Sequence, residues 1–166
     1  ADLHKWFADW MSHPNYDEYW DEFSILRAHD RVNVPVHHFG SCYDCFLRGT
    51  LENYSGMRTN ASTPQVRAAQ RLTIGPWVHD PSPADMRKAG SVDFGPQARL
   101  GWFTTRLRWF EHWLKGVDNG VDSDKPVKLF AIVTSDLFSF LWVSLASSLR
   151  CRRLITTEHC NNIFDR

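Results

Sequence analysis

Two short hydrophobic runs, each followed by a loop, constrain the fold of this chain most strongly. Residues 32–39 alternate around Val34 and Val36, and residues 70–75 form the second run. A helical pattern over residues 46–57 lies between them. Strands joined by a helical crossover favour a parallel pair, because antiparallel neighbours need only a short turn. The sequence therefore predicts an α/β sheet.

Both predicted strands stop at residues that interrupt regular pairing. Gly40 is expected to close the first strand. Pro76 is expected to close the second strand, because proline has no N–H to donate to a sheet. Pro35 belongs at the start of the first strand for the same reason. Each strand then leads directly into a motif that carries a titratable side chain.

These two motifs end in a carboxylate and an imidazole. They are Gly40-Ser41-Cys42-Tyr43-Asp44 and Gly75-Pro76-Trp77-Val78-His79. The carboxyl ends of parallel strands meet at one edge of a sheet, so Asp44 and His79 are expected on the same rim. There the carboxylate can hold one imidazole nitrogen and leave the other as a general base. The residues also fit a purely structural role, with Asp44 as a helix N-cap and His79 as ordinary packing.

A serine nucleophile does not accompany this pair. In α/β-hydrolases the serine precedes the acid and the histidine, within a G-x-S-x-G turn. The chain contains no such turn. Cys42 and Cys45 are too near Asp44 in sequence for the geometry expected of a nucleophile. The sequence thus contains the acid and the base but not the group that they activate.

Further helices are predicted on both sides of this unit, over residues 2–11, 16–28 and 96–115. Pro96 suits the first turn of the last helix, and Gly116 suits its stop. The apolar stripe of that helix is expected to consist of Phe103, Leu107, Phe110 and Leu114.

The carboxyl-terminal half of the chain has a different pattern. Residues 80–95 are polar and rich in proline and glycine, which predicts a surface loop. A strand is expected over residues 127–133, and the polar linker before it suggests a domain boundary near residues 116–126. Residues 134–166 have no clear period and stay unassigned.

Composition excludes several classes of partner. Lys+Arg and Asp+Glu are both 19, so the net charge is +0 and there is no field to attract nucleic acid or an anionic membrane. Residues 137–149, the longest apolar-rich stretch, are too short to span a bilayer. The chain starts at Ala1 with neither an initiator Met nor a secretory-type apolar run, so we expect a truncated amino end and an unreadable localisation.

The four cysteines do not predict a metal centre. Cys42 and Cys45 have C-x-x-C spacing, but no second close pair follows, and Cys151 and Cys160 lie apart in the tail. Structural zinc sites usually combine closely spaced pairs of ligands. We therefore expect no metal and no cofactor, and rank metal binding through Cys42, Cys45 and histidines last among the possible functions.

A series of short motifs extends the pattern over about residues 10–132. In order they are His13-Pro14-x-Tyr16-Asp17-x-Tyr19-Trp20, Val34-Pro35-Val36, Gly40-x-x-Tyr43-Asp44-x-Phe46, Leu72-x-Ile74-Gly75-Pro76-Trp77-x-His79, Asp93-Phe94-Gly95, Arg108-Trp109-Phe110-x-x-Trp113-Leu114-Lys115-Gly116 and Pro126-Val127-x-Leu129-Phe130. With these motifs the chain resembles the CocE/NonD hydrolases, the group of cocaine esterases and X-Pro dipeptidyl-peptidases. The chain departs from that pattern at Cys42, where the family usually has Trp, and at Ser41, which replaces a second glycine.

The resemblance implies a partial α/β-hydrolase, comprising its last strand–helix units and the end of a helical cap, followed by the start of a β jelly-roll domain. The catalytic-domain part would cover residues 1–116, with the end of the cap at about 1–28. Residues 117–133 would be a linker and the first jelly-roll strand. Residues 134–166 lose the family pattern.

The resemblance also implies a serine hydrolase that cleaves acyl ester or amide bonds, X-Pro dipeptidyl bonds among them. Asp44 would be the triad acid and His79 the triad histidine. The substrate of the intact enzyme would be a small ester, amide or peptide, and its binding residues stay unassigned. Without the serine the isolated chain is expected to be inactive. The alternative is a truncated, non-catalytic interaction module with its Trp-rich helix as the adhesive face; the oligomeric state stays open.

Overall fold

A four-stranded sheet organises the structure, a computed structural model that describes residues 3–79, 87–133 and 139–145. The strands are β1 (His37–Tyr43), β2 (Arg71–Val78), β3 (Lys88–Ala89), β4 (Val92–Asp93), β5 (Val127–Val133) and β6 (Ser139–Leu145). The main sheet has the order β1-β2-β5-β6, with β1, β2 and β5 parallel and β6 antiparallel to β5. Strands β3 and β4 form a separate small hairpin. The α/β class with a parallel sheet is confirmed.

Helices precede and connect these strands. They are α1 (Leu3–Ser12), α2 (Glu18–Asp21), α3 (Leu47–Asn60), α4 (Pro64–Ala68) and α5 (Trp102–Lys115), with 3₁₀ turns at Ile25–Arg27, His29–Arg31, Pro96–Ala98 and Val121–Ser123. No helix among the described residues is long and apolar enough to cross a membrane. Helix α3 is the crossover between β1 and β2, and its Tyr54 is buried on the sheet beside Leu72 and Ile74.

Strand β1 lies further along the chain than the sequence predicted. It begins at His37 and continues through Gly40 to Tyr43. Gly40 does not end the strand; it lets neighbouring side chains approach, because a Cβ there would lie 2.9 Å from the Ile74 Cδ1 atom. The segment before the strand packs instead through Val32 and Val36 against a small cluster on helices α3 and α4.

Strand β2 also continues past its predicted end. Arg71 to Trp77 are all buried, as expected of an inner parallel strand. Ser41 pairs with Gly75 and Tyr43 pairs with Val78, so β2 contains one more residue than β1 between these pairs. Pro76 lies within this irregularity, where its missing N–H is tolerated. Proline here marks a bulge rather than a strand end.

The predicted helix over residues 96–115 is interrupted near its start. Pro96 begins a short 3₁₀ turn, and α5 itself starts at Trp102 after Gly101. Its predicted end is confirmed, because Gly116 adopts the left-handed conformation with φ of 70°. The predicted apolar stripe lies on the exposed side of the helix: Phe103 and Leu114, for example, are 76% and 77% exposed.

The buried face of α5 contains tryptophan instead. Trp109 is 7% exposed, with its ring centroid 5.2 Å from that of His37, and Trp102 makes an edge contact with Phe39 at 4.7 Å. Tryptophan removes more apolar surface from water than the stripe residues do, which accounts for the choice of face.

The predicted strand over residues 127–133 is present with those bounds as β5. It pairs with β2 through Leu72 opposite Val127 and Ile74 opposite Leu129, so it extends the same sheet. A jelly-roll domain beginning here, and the division of the chain into domains, stay predictions. Of the unassigned tail, only β6 belongs to the described residues. Of the predicted loop 80–95, residues 80–86 lie outside them.

Candidate active site

Asp44 and His79 each follow directly after one of two neighbouring parallel strands. Tyr43 and Val78, the last residues of β1 and β2, are partners in the sheet register. The next residues therefore leave the sheet side by side. The Asp44 Oδ1 and His79 Nδ1 atoms lie 3.3 Å apart. The expectation that these residues share one rim is confirmed as geometry; their catalytic role stays a prediction.

The ends of both strands are anchored by an aromatic cluster. Tyr43 and Val78 pack against buried residues of the β3–β4 hairpin, the following 3₁₀ turn and β5. Phe94, at the centre of this cluster, is 1% exposed, and its ring centroid is 6.1 Å from that of Tyr43. The cluster therefore fixes the points at which Asp44 and His79 leave the sheet.

The residues before His79 explain the Gly-Pro-Trp-x-His motif. The Trp77 indole lies over Gly75, so closely that a Cβ at Gly75 would be 2.4 Å from Trp77 Cε2. Trp77 is 2% exposed, and its Nε1–H group donates a hydrogen bond to the Ala98 carbonyl over 3.0 Å. Only glycine leaves room for this indole. The motif is thus a packing device that fixes the backbone just before His79.

The Asp44 carboxylate has two partners. Its Oδ1 atom accepts a hydrogen bond from the Phe46 N–H group over 2.8 Å, and the same atom faces His79. Asp44 is not the predicted N-cap of α3, because Phe46 occupies that position without a side-chain cap. Its carboxylate instead closes the turn just before α3 and approaches His79 through the same oxygen. The 3.3 Å separation slightly exceeds the usual N–H···O range of about 2.7–3.2 Å. Long catalytic hydrogen bonds are common before substrate binds.

His79 is open on its other side. Its side chain is 61% exposed, whereas that of Asp44 is 19% exposed. The Phe46 ring contacts the imidazole edge to face, with centroids 5.1 Å apart. With Nδ1 turned to Asp44, Nε2 is the nitrogen left to exchange a proton with another group.

Cys45 joins this pair, which sequence spacing did not reveal. Ligand atoms of Asp44, Cys45 and His79 all lie within 4.8 Å of one another. The chain order places Cys45 beside Asp44, but only the register of β1 and β2 brings His79 to both. Cys42, in contrast, packs against the core under α3. The two cysteines of the C-x-x-C spacing therefore lie in different environments, Cys42 against the core and Cys45 on the surface.

Other histidines have structural partners. His38 contacts Gln70 Oε1 over 3.1 Å, and His29 contacts Asn53 Oδ1 over 3.0 Å. Burial, with a smaller effect from the positive charge of nearby groups, lowers the pKa of His37 from 6.5 to about 3. His37 lines a cavity of about 350 Å³ between α5 and the start of the parallel strands, at the opposite end of these strands from His79. His37 and His38 thus belong to the packing of β1, and His29 packs against α3.

The part of the chain that contains this geometry matches a known protein family. Residues 1–81 match the model of the X-Pro dipeptidyl-peptidase (S15) family. The matched segment includes both Asp44 and His79, and the resemblance inferred from the sequence motifs is confirmed. The S15 match ends at residue 81, two residues after His79. No curated protein sequence matches the chain significantly.

A solved structure gives the same fold. An aminopeptidase from the marine sediment archaeon Thaumarchaeota archaeon matches with a TM-score of 0.63 and 20% sequence identity. The match covers 86% of this chain and 22% of the aminopeptidase. At this identity the likeness concerns the fold alone. The chain corresponds to a minor part of that protein's length.

Proposed function

We propose that this chain is part of a serine hydrolase of the S15 type, with Asp44 as the triad acid and His79 as the general base. The observation that carries the proposal is the 3.3 Å contact between the two side chains at the ends of adjacent parallel strands. The contact lies within the segment that matches the family. The serine would lie outside residues 1–166, because this sequence has no G-x-S-x-G turn.

The proposed mechanism assigns one role to each side chain. Asp44 accepts the Nδ1–H group of His79 and thereby keeps the Nε2 lone pair free. His79 Nε2 takes the serine hydroxyl proton while the serine oxygen bonds to the substrate carbonyl carbon. The imidazolium then gives this proton to the departing alcohol or amine, and the acyl–serine ester remains. A water molecule then attacks the acyl–serine ester while His79 takes its proton, and the carboxylic acid product leaves as the serine regains a proton.

The substrate class follows from this chemistry and from the family. Acyl esters and amides both provide a carbonyl carbon and a leaving group that accepts a proton. Peptides with an X-Pro amino terminus are the family's own substrate class. Hydrolysis of an X-Pro p-nitroanilide compared with p-nitrophenyl acetate, in a longer protein that contains the serine, would distinguish peptidase from esterase activity.

An assay of the isolated chain tests whether the nucleophile lies outside residues 1–166. We expect the 166-residue chain to hydrolyse p-nitrophenyl acetate no faster than its His79→Ala variant, because the nucleophile is absent. Turnover that is abolished by a serine-directed inhibitor would contradict this. The coding sequence upstream of Ala1 gives an independent check, since an in-frame G-x-S-x-G turn is expected there.

A second candidate function rests on the exposed face of α5. Phe103, Leu107, Phe110 and Leu114 are all between 48% and 77% exposed. An apolar face of this kind is typical of an interaction surface. A non-catalytic interaction module would therefore self-associate through α5. Size-exclusion chromatography of the chain and of a Phe103→Ser, Leu107→Ser double variant tests this, and a monomer in both cases argues against it.

A further inference from the structure

Three different donor atoms converge where β1 and β2 end. A carboxylate oxygen of Asp44, the thiol sulfur of Cys45 and a ring nitrogen of His79 lie within 4.8 Å of one another. Ligands bound to a tetrahedral zinc ion at about 2.0–2.3 Å lie roughly 3.3–3.7 Å apart. The 3.3 Å contact between Asp44 and His79 already has this spacing. Cys45 is exposed, so its side chain is free to close the remaining distance by rotation.

The chemistry of this donor set selects among metals. Magnesium and calcium prefer oxygen ligands, and the site offers only one oxygen-bearing side chain. A thiolate and an imidazole are instead preferred by zinc and similar transition metals. Three protein ligands also leave a fourth position for water, as in many zinc sites with an open coordination position.

Neighbouring groups hold two of the donors in place. The Phe46 N–H group donates to Asp44 Oδ1 over 2.8 Å, and the Phe46 ring contacts the His79 ring. Such outer contacts orient metal ligands and raise affinity. Phe46 therefore reduces the rearrangement that binding would require.

We propose that Asp44, Cys45 and His79 form a binding site for Zn²⁺. On binding, the Cys45 thiol loses its proton to solvent and the sulfur bonds to the metal. The ion is then bound by His79 and Asp44, whose contact with each other the hydrolytic mechanism requires. Zinc would thus inhibit the enzyme, a consequence that rests on the proposed function, whereas the binding itself does not.

Binding is tested on the 166-residue chain with Zn²⁺ by calorimetry and with Co²⁺ by absorption. We expect one ion per chain at this site and a thiolate-to-cobalt charge-transfer band. Cys45→Ser and His79→Ala should each weaken Zn²⁺ binding by about tenfold or more, the effect of losing roughly 1.4 kcal/mol of binding free energy. The Cys45→Ser variant should lack the band. Both residues are exposed, so circular dichroism should show unchanged folding.

Two matched variants serve as controls. Cys42→Ser removes the other thiol of the C-x-x-C spacing. His13→Ala removes a histidine that also contacts an aspartate, Asp17, but in a pair that includes no cysteine. Neither should change the affinity, and excess Mg²⁺ should not displace Co²⁺. Absence of the charge-transfer band, or equal affinity in Cys45→Ser, would overturn the proposal.

The outcomes separate this proposal from the hydrolase function. If Zn²⁺ binds through Cys45 but Asp44→Asn leaves hydrolysis by the longer protein intact, the metal site stands and the catalytic assignment fails. If hydrolysis depends on Asp44 and His79 but no Zn²⁺ binds, the metal site alone fails.

Discussion

Two histidine–aspartate pairs lie within the described part of the chain, and the closer one is the less informative. His13 Nδ1 lies 2.6 Å from Asp17 Oδ2, whereas His79 Nδ1 lies 3.3 Å from Asp44 Oδ1. Both aspartates also accept a hydrogen bond from the N–H group two residues later, Asp17 from Tyr19 and Asp44 from Phe46. Local geometry around the two carboxylates is therefore nearly the same.

The two histidine–aspartate pairs differ in the structure that holds each pair together. His13 and Asp17 are four residues apart, so a local bend is sufficient to bring them together. Asp44 and His79 meet only because β1 and β2 are parallel and in register. His13 is also stacked on Tyr19 with ring centroids 4.3 Å apart. A short distance thus identifies a contact, whereas a contact held by two paired parallel strands at a sheet edge identifies a candidate site.

Catalysis gives the largest expected contrast. In a longer protein that also contains the serine, Asp44→Asn should lower kcat by about 10⁴-fold and His79→Ala by about 10⁶-fold, the losses typical of the acid and the histidine of serine triads. His13→Ala should change kcat only slightly, since that pair serves local structure. Steady-state kinetics on an ester substrate measures both. Similar losses from the two pairs would remove the distinction.

The next largest effect is expected on stability, from the packing of the residues just before His79. Gly75→Ala should lower the free energy of unfolding by about 1–3 kcal/mol, because the new methyl group collides with the buried Trp77 indole. Gly49→Ala is the matched control: its Cβ meets nothing within 4 Å, and alanine favours helix α3. Urea denaturation measures both. Equal stability of the two variants would show that the Gly75–Trp77 contact does not support the site.

A third histidine, His37, is half-buried and makes no ion pair among the described residues, and it extends the comparison to the dependence of stability on pH. His37 has its pKa lowered to about 3 by burial, with His38 and Arg71 lowering it further and Asp124 opposing them. Between pH 3 and 6.5 the unfolded chain binds a proton at this residue and the folded chain does not. Folding stability should therefore fall as the pH decreases through this window, by at most about 1.4 kcal/mol per pH unit.

The variant His37→Gln isolates this effect, since an amide can still reach Thr73 Oγ1, which lies 3.0 Å from His37 Nε2. Its stability should decline less steeply below pH 6.5 than that of the unmodified chain. Denaturant titrations at a series of pH values test this, and an unchanged slope would contradict the assignment.

The smallest effect is expected at the local pair. The hydrogen bond from His13 lowers the pKa of Asp17 below 3.8, so its contribution to stability is present above that pH and is lost as the pH falls. Asp17→Asn should lower the melting temperature slightly at neutral pH, and less than Gly75→Ala does. Asparagine retains the hydrogen bond from Tyr19, and salt should reduce the difference further. A larger loss than at Gly75 would reverse the ranking of the two regions.

Local signals predicted part of this molecule well. The end of α5 at Gly116 and the bounds of β5 follow from composition and hydrophobic pattern over a few residues. Pro76 within β2 and the convergence of Cys45 with His79 did not follow. Both depend on how two strands align, and that register is set by packing between residues distant in sequence.

The protonation state of His79 tests the central claim most directly. In ¹⁵N NMR spectra of the chain, recorded where the imidazole is neutral, we predict that the proton of His79 resides on Nδ1 and that Nε2 carries the lone pair. Asp44→Asn should abolish this preference, and His13→Ala should leave it unchanged. A proton on Nε2 in the unmodified chain, or a tautomer that is indifferent to Asp44, would contradict the assignment of this pair as acid and general base.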